Sequence, residues 1–415
     1  MEVGVNLTNP LGRAEQVDLQ LEQGSQSTNS FCLSYTRPRF WGRGVADVRL
    51  QQVFHSYERW SSFTERVRGC LATVASEDGH HALTYELGWQ RLADPSQRAS
   101  RPVIGQLGDQ VKSAARYIFR HETFDNSLAP TAGWGVRSTS EVSGVSPDPR
   151  VLRFFKQHLL AQKALPLSGG LTLTLAAEAG VLLPLNGRAA KASPISDRFF
   201  LGGLGGAGAL RGFSQKGVGP MAPRRPESGA ATPAGSHAVS RLLQMRVVAG
   251  AMGGWNWGSK VADRLRPCWA QMDSLGGDLF CSLLAAVAFP LPAPALQAAG
   301  VHGHVFLNGG NLVGLSRPPG GGSRLHEFST TFRWSMVRRA WTASLPRSLG
   351  LGGCAVGLRS LPQHPRWAPL FLQGAGIVWP TRLGRLELNV CQLLTQQQHD
   401  RVKRGLQFGF VPPAW

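Results

Sequence analysis

The sequence has few of the residues, and none of the motifs, on which common catalytic and metal sites depend. Its six cysteines form no C-x-x-C pair, and the closest histidines are the adjacent His80 and His81 and the alternating His302 and His304. Two histidines without a third ligand nearby favour a structural role over a metal site. The chain also lacks G-x-S-x-G, H-E-x-x-H and P-loop motifs. We therefore predict no metal site, no cofactor and no enzymatic activity.

Long hydrophobic runs are absent as well. No uninterrupted stretch reaches the ~18 apolar residues that a membrane-spanning helix needs. The nearest approach, residues 279–300, is broken by Pro290, Pro292 and Pro294. Because proline removes a backbone donor, we interpret 277–289 as one strand and the proline-rich piece as a turn. The sequence therefore does not predict helical membrane spans.

Acidic residues are scarce relative to basic ones, 25 against 44, and the formal net charge is +19. A basic chain commonly binds nucleic acid or a membrane surface. Here about half of the excess lies in two segments, 221–272 and 336–372, in which neither a helical nor a strand period persists. Since the charge is concentrated where the pattern of the chain is interrupted, we predict no nucleic-acid partner.

The main positive signal in the sequence is alternation of apolar and polar residues. Residues 15–21, 171–179 and 385–390 each place apolar side chains on one face and polar side chains on the other, as half-buried strands do. We predict fifteen such strands, from 1–8 to 404–411, and hence an all-β fold. Repeated runs of about ten residues with charged polar faces are typical of a transmembrane barrel with a wet interior, although a soluble sandwich also predicts alternation.

Residues 194–220 form an unusually long connection. Loops above roughly 12–15 residues without secondary structure are uncommon in compact folds. This one carries apolar anchors at 199–201, Leu210 and Phe213, glycines between them, and the cation Arg211 near its tip. It contains a literal G-x-G-x-x-G, but no helix can follow, so a nucleotide site is rejected. We predict a folded loop that is pressed into a tight space.

Short runs spread over nearly the whole chain resemble one family. They are N-P-L-G-R-A-E at 9–15, S-D-R-F-F-L-G-G at 196–203, L-R-G-F at 210–213, H-V-F-L-N-G-G-N-L at 304–312, G-A-G-I-V at 374–378, G-R-L-E-L-N-V-C at 384–391 and G-L-Q-F-G at 405–409. In this order they resemble the outer-membrane protein insertase superfamily, also called the bacterial surface antigen family. More narrowly, the chain is similar to the barrel subunits of the mitochondrial sorting and assembly machinery.

The resemblance implies a transmembrane antiparallel β-barrel of fifteen or sixteen strands that occupies residues 1–415 as one domain. It also implies that 184–220 is an inward-folded signature loop. The family has an amino-terminal soluble domain and one further strand before the position where this sequence begins, so we expect both to be absent. Segments 221–272 and 336–372 are atypical insertions, loop or disordered, and the second splits a run that is R-W-S-x-G-A-G-I-V in the family.

The resemblance also assigns roles to residues of the loop and of the last strand. The loop signature comprises Asp197, Arg198, Phe199, Gly202 and Gly203. The loop-anchoring set comprises Leu210, Arg211, Gly212, Phe213, Asp278 and Asn308, and we expect the Arg211 guanidinium to point inward and pair with Asp278 and Asn308. Gln407 and Gly409 form the carboxy-terminal strand signal, which Pro412 and Pro413 weaken because proline cannot donate to a strand ladder.

The function implied by the resemblance is insertion and assembly of β-barrel precursor proteins in the mitochondrial outer membrane through a lateral seam. The implied partners are precursor proteins, other subunits of the assembly complex and the lipid bilayer. Three alternatives are an inactive or incomplete barrel fragment, a passive outer-membrane pore, and a member of the same superfamily in the plastid outer envelope.

Overall fold

Antiparallel strands make up most of the computed structural model. It describes the following residues: 2–23, 29–40, 42, 44–126, 128–145, 151–185, 193–204, 209–225, 272–315, 333–336, 375–381, 384–393, 395–397, 399–403 and 405–411. The strands are β1 (Glu2–Thr8), β2 (Gln16–Gln23), β3 (Asn29–Phe40), β4 (Gly44–Ser56), β5 (Thr64–Ser76), β6 (His81–Ala93), β7 (Gly108–Glu122), β8 (Gly133–Ser143), β9 (Phe154–Pro166), β10 (Thr172–Pro184), β11 (Met221–Pro223), β12 (Met272–Ser274), β13 (Leu279–Pro290), β14 (His302–Val313), β15 (Arg333–Met336), β16 (Ala375–Thr381), β17 (Gly384–Leu393) and β18 (Gly405–Val411).

All of these strands except β11 and β12 belong to one sheet, in which every pair of hydrogen-bonded strands is antiparallel. Among the described residues, β1 pairs only with β2, and β18 pairs only with β17. We call the gap between β1 and β18 the seam. The sheet is therefore an antiparallel barrel wall that is not closed by backbone pairing at the seam.

Strands β15 and β16 share one position in this sheet, between β14 and β17. Ser335 pairs with Asn308 of β14, and Ala375 pairs with Val305 of the same strand. On the other side, Met336 lies opposite Gln392 and Ala375 lies opposite Val390, so one residue position remains between the two pieces. The sheet thus has fifteen strand positions. This confirms the predicted all-β fold and its strand number, and it agrees with the prediction that a continuous strand is split.

The predicted alternation becomes an apolar outside and a polar inside. Leu83 and Leu87 of β6 are exposed on the outer face, as are corresponding apolar residues on the other strands. Inner-face residues such as Lys112, Glu141 and Asn389 are buried although they are polar. An apolar exterior around a polar, charged interior is the arrangement of a membrane barrel.

The helices are short and lie at the ends of the sheet. They are α1 (Glu58–Ser61), α2 (Arg101–Ile104) and α3 (Pro294–Ala298). Among the described residues, none of the helices has the length and apolar character to cross a bilayer. Part of the proline-rich segment forms α3 instead of the predicted turn, because proline is compatible with the first turn of a helix.

One end of the sheet carries a cap, which consists of residues 57–63, 99–107, 220–225 and 272–275. A small apolar core holds it together and comprises Phe63, Leu92, Ala99, Val103 and Ile195. The opposite end, which we call the far end, consists of the turns at 9–15, 77–80, 123–132, 167–171 and 291–301.

The two predicted insertions differ in what the structure describes of them. At the two ends of 221–272, β11 and β12 form a two-stranded ladder that the sequence pattern did not predict. Cap contacts stabilise this ladder, as described below. Residues 226–271 and almost all of 336–372 lie outside the described residues.

Candidate functional site

The loop from β10 to β13 is folded inside the sheet. Its apolar anchors Phe199, Leu201, Leu210 and Phe213 are buried in the main core together with inner-face residues of the strands, including Phe280. Backbone bridges join Leu201 to Val218 and Gly203 to Leu210 within the loop. This explains why a long, glycine-rich connection can be ordered: its apolar side chains leave water together.

The tip of the loop is fixed by a buried ion pair between Arg211 and Glu387 of β17. The Arg211 Nε donates to Oε2 at 3.1 Å, and Nη2 donates to Oε1 at 3.0 Å and to Oε2 at 2.9 Å. The guanidinium carbon lies 5.1 Å from the centre of the Phe306 ring. Arg211 therefore points inward, and its planar fork takes a carboxylate in two parallel hydrogen bonds.

Other inner-face groups surround the Glu387 carboxylate. Arg385 Nε lies 2.9 Å from Glu387 Oε1, and Asn389 Nδ2 donates to Oε2 at 3.0 Å. The Asn389 side-chain oxygen is in turn 2.7 Å from His304 Nε2. Glu387 is thus held between two arginines and an amide, so its charge is compensated although the side chain is buried.

The predicted pairing of Arg211 with Asp278 is wrong. Asp278 Oδ2 instead accepts the Leu315 backbone N–H at 2.8 Å, and Oδ1 bonds the Ser193 hydroxyl. Asp278 lies at the start of β13, where it orders the base of the loop. Asn308 does reach the tip, where its Nδ2 lies 3.5 Å from the Arg211 carbonyl oxygen.

The last strand holds the loop through Gln407. This side chain is buried, its Oε1 accepts from the Gly212 N–H at 3.0 Å, and its Nε2 donates to the Phe213 carbonyl oxygen at 3.2 Å. The connection before β18 adds backbone bonds from Lys403 N–H to Gly212 at 3.0 Å and from Ser214 N–H to Arg401 at 2.8 Å. Gln407 thus satisfies two backbone groups of the tip that are buried away from water.

Gly409, the second residue of the strand signal, allows close approach of the loop. A Cβ atom at Gly409 would lie 2.8 Å from Leu204 Cδ1, which is closer than packed carbon atoms tolerate. Pro412 and Pro413 lie outside the described residues, and β18 ends at Val411.

The base of the loop is anchored on the opposite wall. Asp197 Oδ1 accepts from Lys112 Nζ of β7 at 2.6 Å, and the Asp197 carbonyl oxygen accepts from Lys156 Nζ of β9 at 2.7 Å. Lys112 also lies 2.9 Å from Glu141 Oε1. Because Lys112, Asp197 and Glu141 are all buried, this pairing is essential to keep their charges compensated.

The remaining signature residues shape the segment between these two anchors. Arg198 donates to the Leu275 carbonyl oxygen at 3.0 Å, and Phe199 packs with its ring centre 4.6 Å from that of Phe280. Gly202 has φ +121°, and a Cβ atom there would lie 2.5 Å from the Ser214 carbonyl oxygen. Gly203 forms the reciprocal backbone bonds with Leu210, at 3.2 and 3.1 Å.

The parts of the cap are joined to one another by a buried carboxylate, Asp273. Its Oδ1 accepts from Ser62 Oγ at 2.7 Å and from Arg224 Nε at 2.7 Å, and its Oδ2 accepts from the Ser100 N–H at 2.8 Å. These contacts connect the turn after β4, the turn after β6 and the β11–β12 ladder. One carboxylate therefore holds three separate connections at the same end of the sheet.

Lys216 forms a further link at this end of the sheet, because three aromatic rings surround its ammonium group. Lys216 Nζ lies 4.0, 4.3 and 5.4 Å from the ring centres of Tyr57, Phe200 and Trp60. Burial lowers the pKa of Lys216 to about 8. The three rings favour the ammonium form by cation–π attraction, and they connect the loop to α1 and the residue before it.

Between the loop tip and the far-end turns lies a cavity of about 750 Å³. Its lining includes Arg137, His158 and Glu178 in addition to Arg211 and Glu387. Charged and polar side chains line part of this interior space, in agreement with the predicted polar strand faces. In the described ranges, no three side chains of His, Cys, Asp or Glu are placed to hold a metal ion.

Comparison with known proteins agrees with this architecture. Residues 9–410 match the Omp85 superfamily domain, and the chain therefore belongs to that superfamily. This is a family of outer-membrane proteins that insert or transport proteins.

The similar curated proteins are more specific. The chain is 26% identical over 416 residues to the sorting and assembly machinery component 50 homolog A of Xenopus laevis, which covers 99% of this chain and 69% of that protein. It is 26% identical to the human component 50 homolog over 419 residues, covering 99% and 68%. A crystal structure of BamA from Haemophilus ducreyi lacking POTRA domains 1–3 has the same fold, with a TM-score of 0.62, 14% identity, and coverage of 98% of this chain and 66% of that one.

Glu387 and Lys112 are the site residues that the loop motifs did not indicate. A signal for Glu387 existed, because alternation places Arg385, Glu387 and Asn389 together on the polar face of one strand. For Lys112 the sequence offers only a single cation on an inner face. Its partner Asp197 is more than eighty residues away, and no local pattern connects the two.

Proposed function

We propose that this protein inserts β-barrel precursors into the mitochondrial outer membrane through the seam, together with other subunits of a sorting and assembly complex. The proposal is supported by similarity to component 50 homologs over nearly the whole chain. The observation that carries it is the state of β18: among the described residues it pairs only with β17, so its other edge faces the seam, while its inner face is held by the loop through Gln407.

An unpaired edge inside a bilayer suits this role. Backbone N–H and C=O groups without partners cost several kcal/mol each in hydrocarbon, so an entering strand needs a template for its hydrogen bonds. An exposed strand edge provides one by strand addition. The Arg211–Glu387 pair and Gln407 keep the loop on β17 and β18, which presents that edge in a fixed position. No covalent step is required.

The test is assembly of a radiolabelled barrel precursor in liposomes that contain the folded protein. We expect several-fold more heat-modifiable, protease-protected precursor than in protein-free liposomes. Gln407→Leu, which leaves two backbone groups of the tip without partners, should lower this yield several-fold. Gln162→Leu is the matched control, because Gln162 is an inner-face glutamine of β9 that lines the cavity.

Equal yields with and without the protein would contradict insertion. Equal yields for wild type and Gln407→Leu would contradict the role of the loop contact. Localisation is tested separately, by import of the chain into isolated mitochondria and protease protection in the outer membrane.

A further inference from the structure

The outer faces of β4 to β7 change from apolar to basic side chains near the cap. From the far end toward the cap, the outer face of β6 carries Leu83, Tyr85, Leu87 and Trp89, all exposed. The next outer residue of β6 is Arg91. Apolar bands of barrels end in this way where the hydrocarbon gives place to the headgroup layer, with aromatic residues at the boundary.

Three arginines meet at this boundary. The register places Arg66 of β5 directly opposite Arg91 of β6, and Arg68 directly opposite Trp89. Both β5 arginines point outward, because Glu65, the residue before Arg66, is buried on the inner face and side chains alternate along a strand. Like charges directly opposite each other on a sheet are destabilising. The pair Arg66 and Arg91 is therefore unfavourable unless an anion lies between them.

The protein supplies little of that negative charge. On the outer faces of β4 to β7, which the structure describes in full, the acidic side chain is Asp109. It lies 3.7 Å from Arg91 Nε, and both side chains are more than half exposed. An exposed pair at that distance contributes little. The cluster thus keeps a net positive charge.

Arg68 is already oriented for a ligand. Its Nε donates to Gln52 Oε1 of β4 at 2.7 Å, and its guanidinium carbon lies 5.7 Å from the centre of the Trp89 ring. These contacts hold the guanidinium plane on the outer surface. The hydrogen bond to Gln52 uses Nε and not the two terminal nitrogens. A planar fork of this kind recognises phosphate oxygens in pairs.

We propose that Arg66, Arg68 and Arg91 form a binding site for the headgroup phosphate of an anionic phospholipid. The bilayer supplies this ligand at the depth where the three arginines lie, and basic clusters at that depth attract anionic headgroups. Binding places a negative charge between the opposed Arg66 and Arg91, which reduces their repulsion, and Trp89 packs beside the glycerol region of the lipid. The site is separate from the loop anchors and does not depend on insertion activity.

The experiment measures bound lipid by native mass spectrometry of the folded, detergent-solubilised protein. Phosphatidylglycerol and phosphatidylcholine with identical acyl chains are the probes. We expect Arg66→Gln/Arg91→Gln to bind phosphatidylglycerol about tenfold more weakly than wild type, with unchanged binding of phosphatidylcholine. Arg66→Lys/Arg91→Lys should keep most of the preference. The control Arg37→Gln/Arg39→Gln removes two charges near the far end of β3 and should behave as wild type.

A second measurement uses unfolding by urea. In phosphatidylcholine, Arg66→Gln should raise the unfolding midpoint because it relieves repulsion from Arg91. In phosphatidylglycerol it should lower the midpoint, because wild type is stabilised by its ligand. The proposal is overturned if all variants bind phosphatidylglycerol equally, if the control loses as much, if the midpoint shift has the same sign in both lipids, or if equimolar inorganic phosphate displaces the lipid.

Discussion

At the scale of single residues, the loop is held by charges that lie deep in the barrel and compensate one another. Arg211 meets Glu387 at one wall, and Asp197 meets Lys112 at the other. At the first wall the shared group is the anion, because Glu387 serves Arg385 as well as Arg211. Loss of this shared carboxylate therefore removes the counter-charge of the buried Arg211 and of the partly exposed Arg385, whereas loss of Arg211 leaves one anion that retains a partner.

This asymmetry gives a prediction for the tip. Breaking a buried pair costs about 3–5 kcal/mol, much of it from the charge that remains. We expect Glu387→Gln to lower the free energy of unfolding and the protease resistance of the loop more than Arg211→Met does. The double variant should lose less than the sum of the two single losses. Urea midpoints and limited proteolysis of the folded protein measure both effects.

Asp278→Asn is the matched comparison for the single and double variants of Arg211 and Glu387. Because Asp278 bonds Ser193 and Leu315 and not the tip, its effect should add to that of Arg211→Met within about 0.5 kcal/mol. Strong coupling between Arg211 and Asp278, together with additivity between Arg211 and Glu387, would contradict the pairing described here.

At the scale of elements, the unusual feature is a strand position filled by two pieces of chain. The ladders on both sides of β15 and β16 leave room for one residue between Met336 and Ala375, opposite Cys391. A chain that leaves and re-enters a strand must close a loop, which costs roughly 3 kcal/mol or more for a few tens of residues. It also interrupts hydrogen bonds that a bilayer cannot replace.

A chain in which Met336 is joined directly to Gly374 should therefore be more stable. We expect a higher urea midpoint in detergent and a larger heat-modifiable fraction, because one continuous strand then pairs with β14 and β17. The control joins Arg225 to Met272, which shortens the connection beyond the β11–β12 ladder without changing the main sheet. If removal of 337–373 prevented assembly while removal of 226–271 had no effect, the two pieces would not act as a single strand.

At the scale of the whole molecule, the two ends of the sheet differ. The cap end is closed by the loop, by the apolar cap core and by the Asp273 contacts, whereas the interior toward the far end contains the 750 Å³ cavity. A passive pore needs a continuous wet path, whereas the described loop and cap residues pack together at the cap end. The polar lumen alone therefore does not define a pore.

We expect low conductance of liposomes that contain the folded wild-type protein, and several-fold higher conductance for Asp273→Ala. The variant removes the common acceptor of Ser62, Ser100 and Arg224 and leaves the arginine without its buried carboxylate. Asp78→Ala, in an exposed turn at the far end, is the control and should conduct as wild type. High wild-type conductance would favour the pore alternative over a plugged barrel.

Most of the strands, their apolar outer faces and the family follow from the amino-acid sequence alone. Each depends on local information: alternation fixes which face a side chain takes, and short motifs at 196–203 and 405–409 identify the loop and the last strand. It also revealed the split strand, because the motif before residue 336 continues after residue 373.

Which inner-face groups meet depends on the three-dimensional fold. Alternation makes Asp278, Glu387 and Glu141 equally suitable as inward carboxylates, and it cannot rank them as partners of Arg211. The choice depends on the path of the loop through the interior, which is set by the joint burial of Phe199, Leu210 and their neighbours. For the same reason, Lys112 and Asp197 meet across the barrel although no sequence pattern connects them. The opposition of Arg66 and Arg91 likewise follows from strand register, which long-range pairing fixes and local sequence does not.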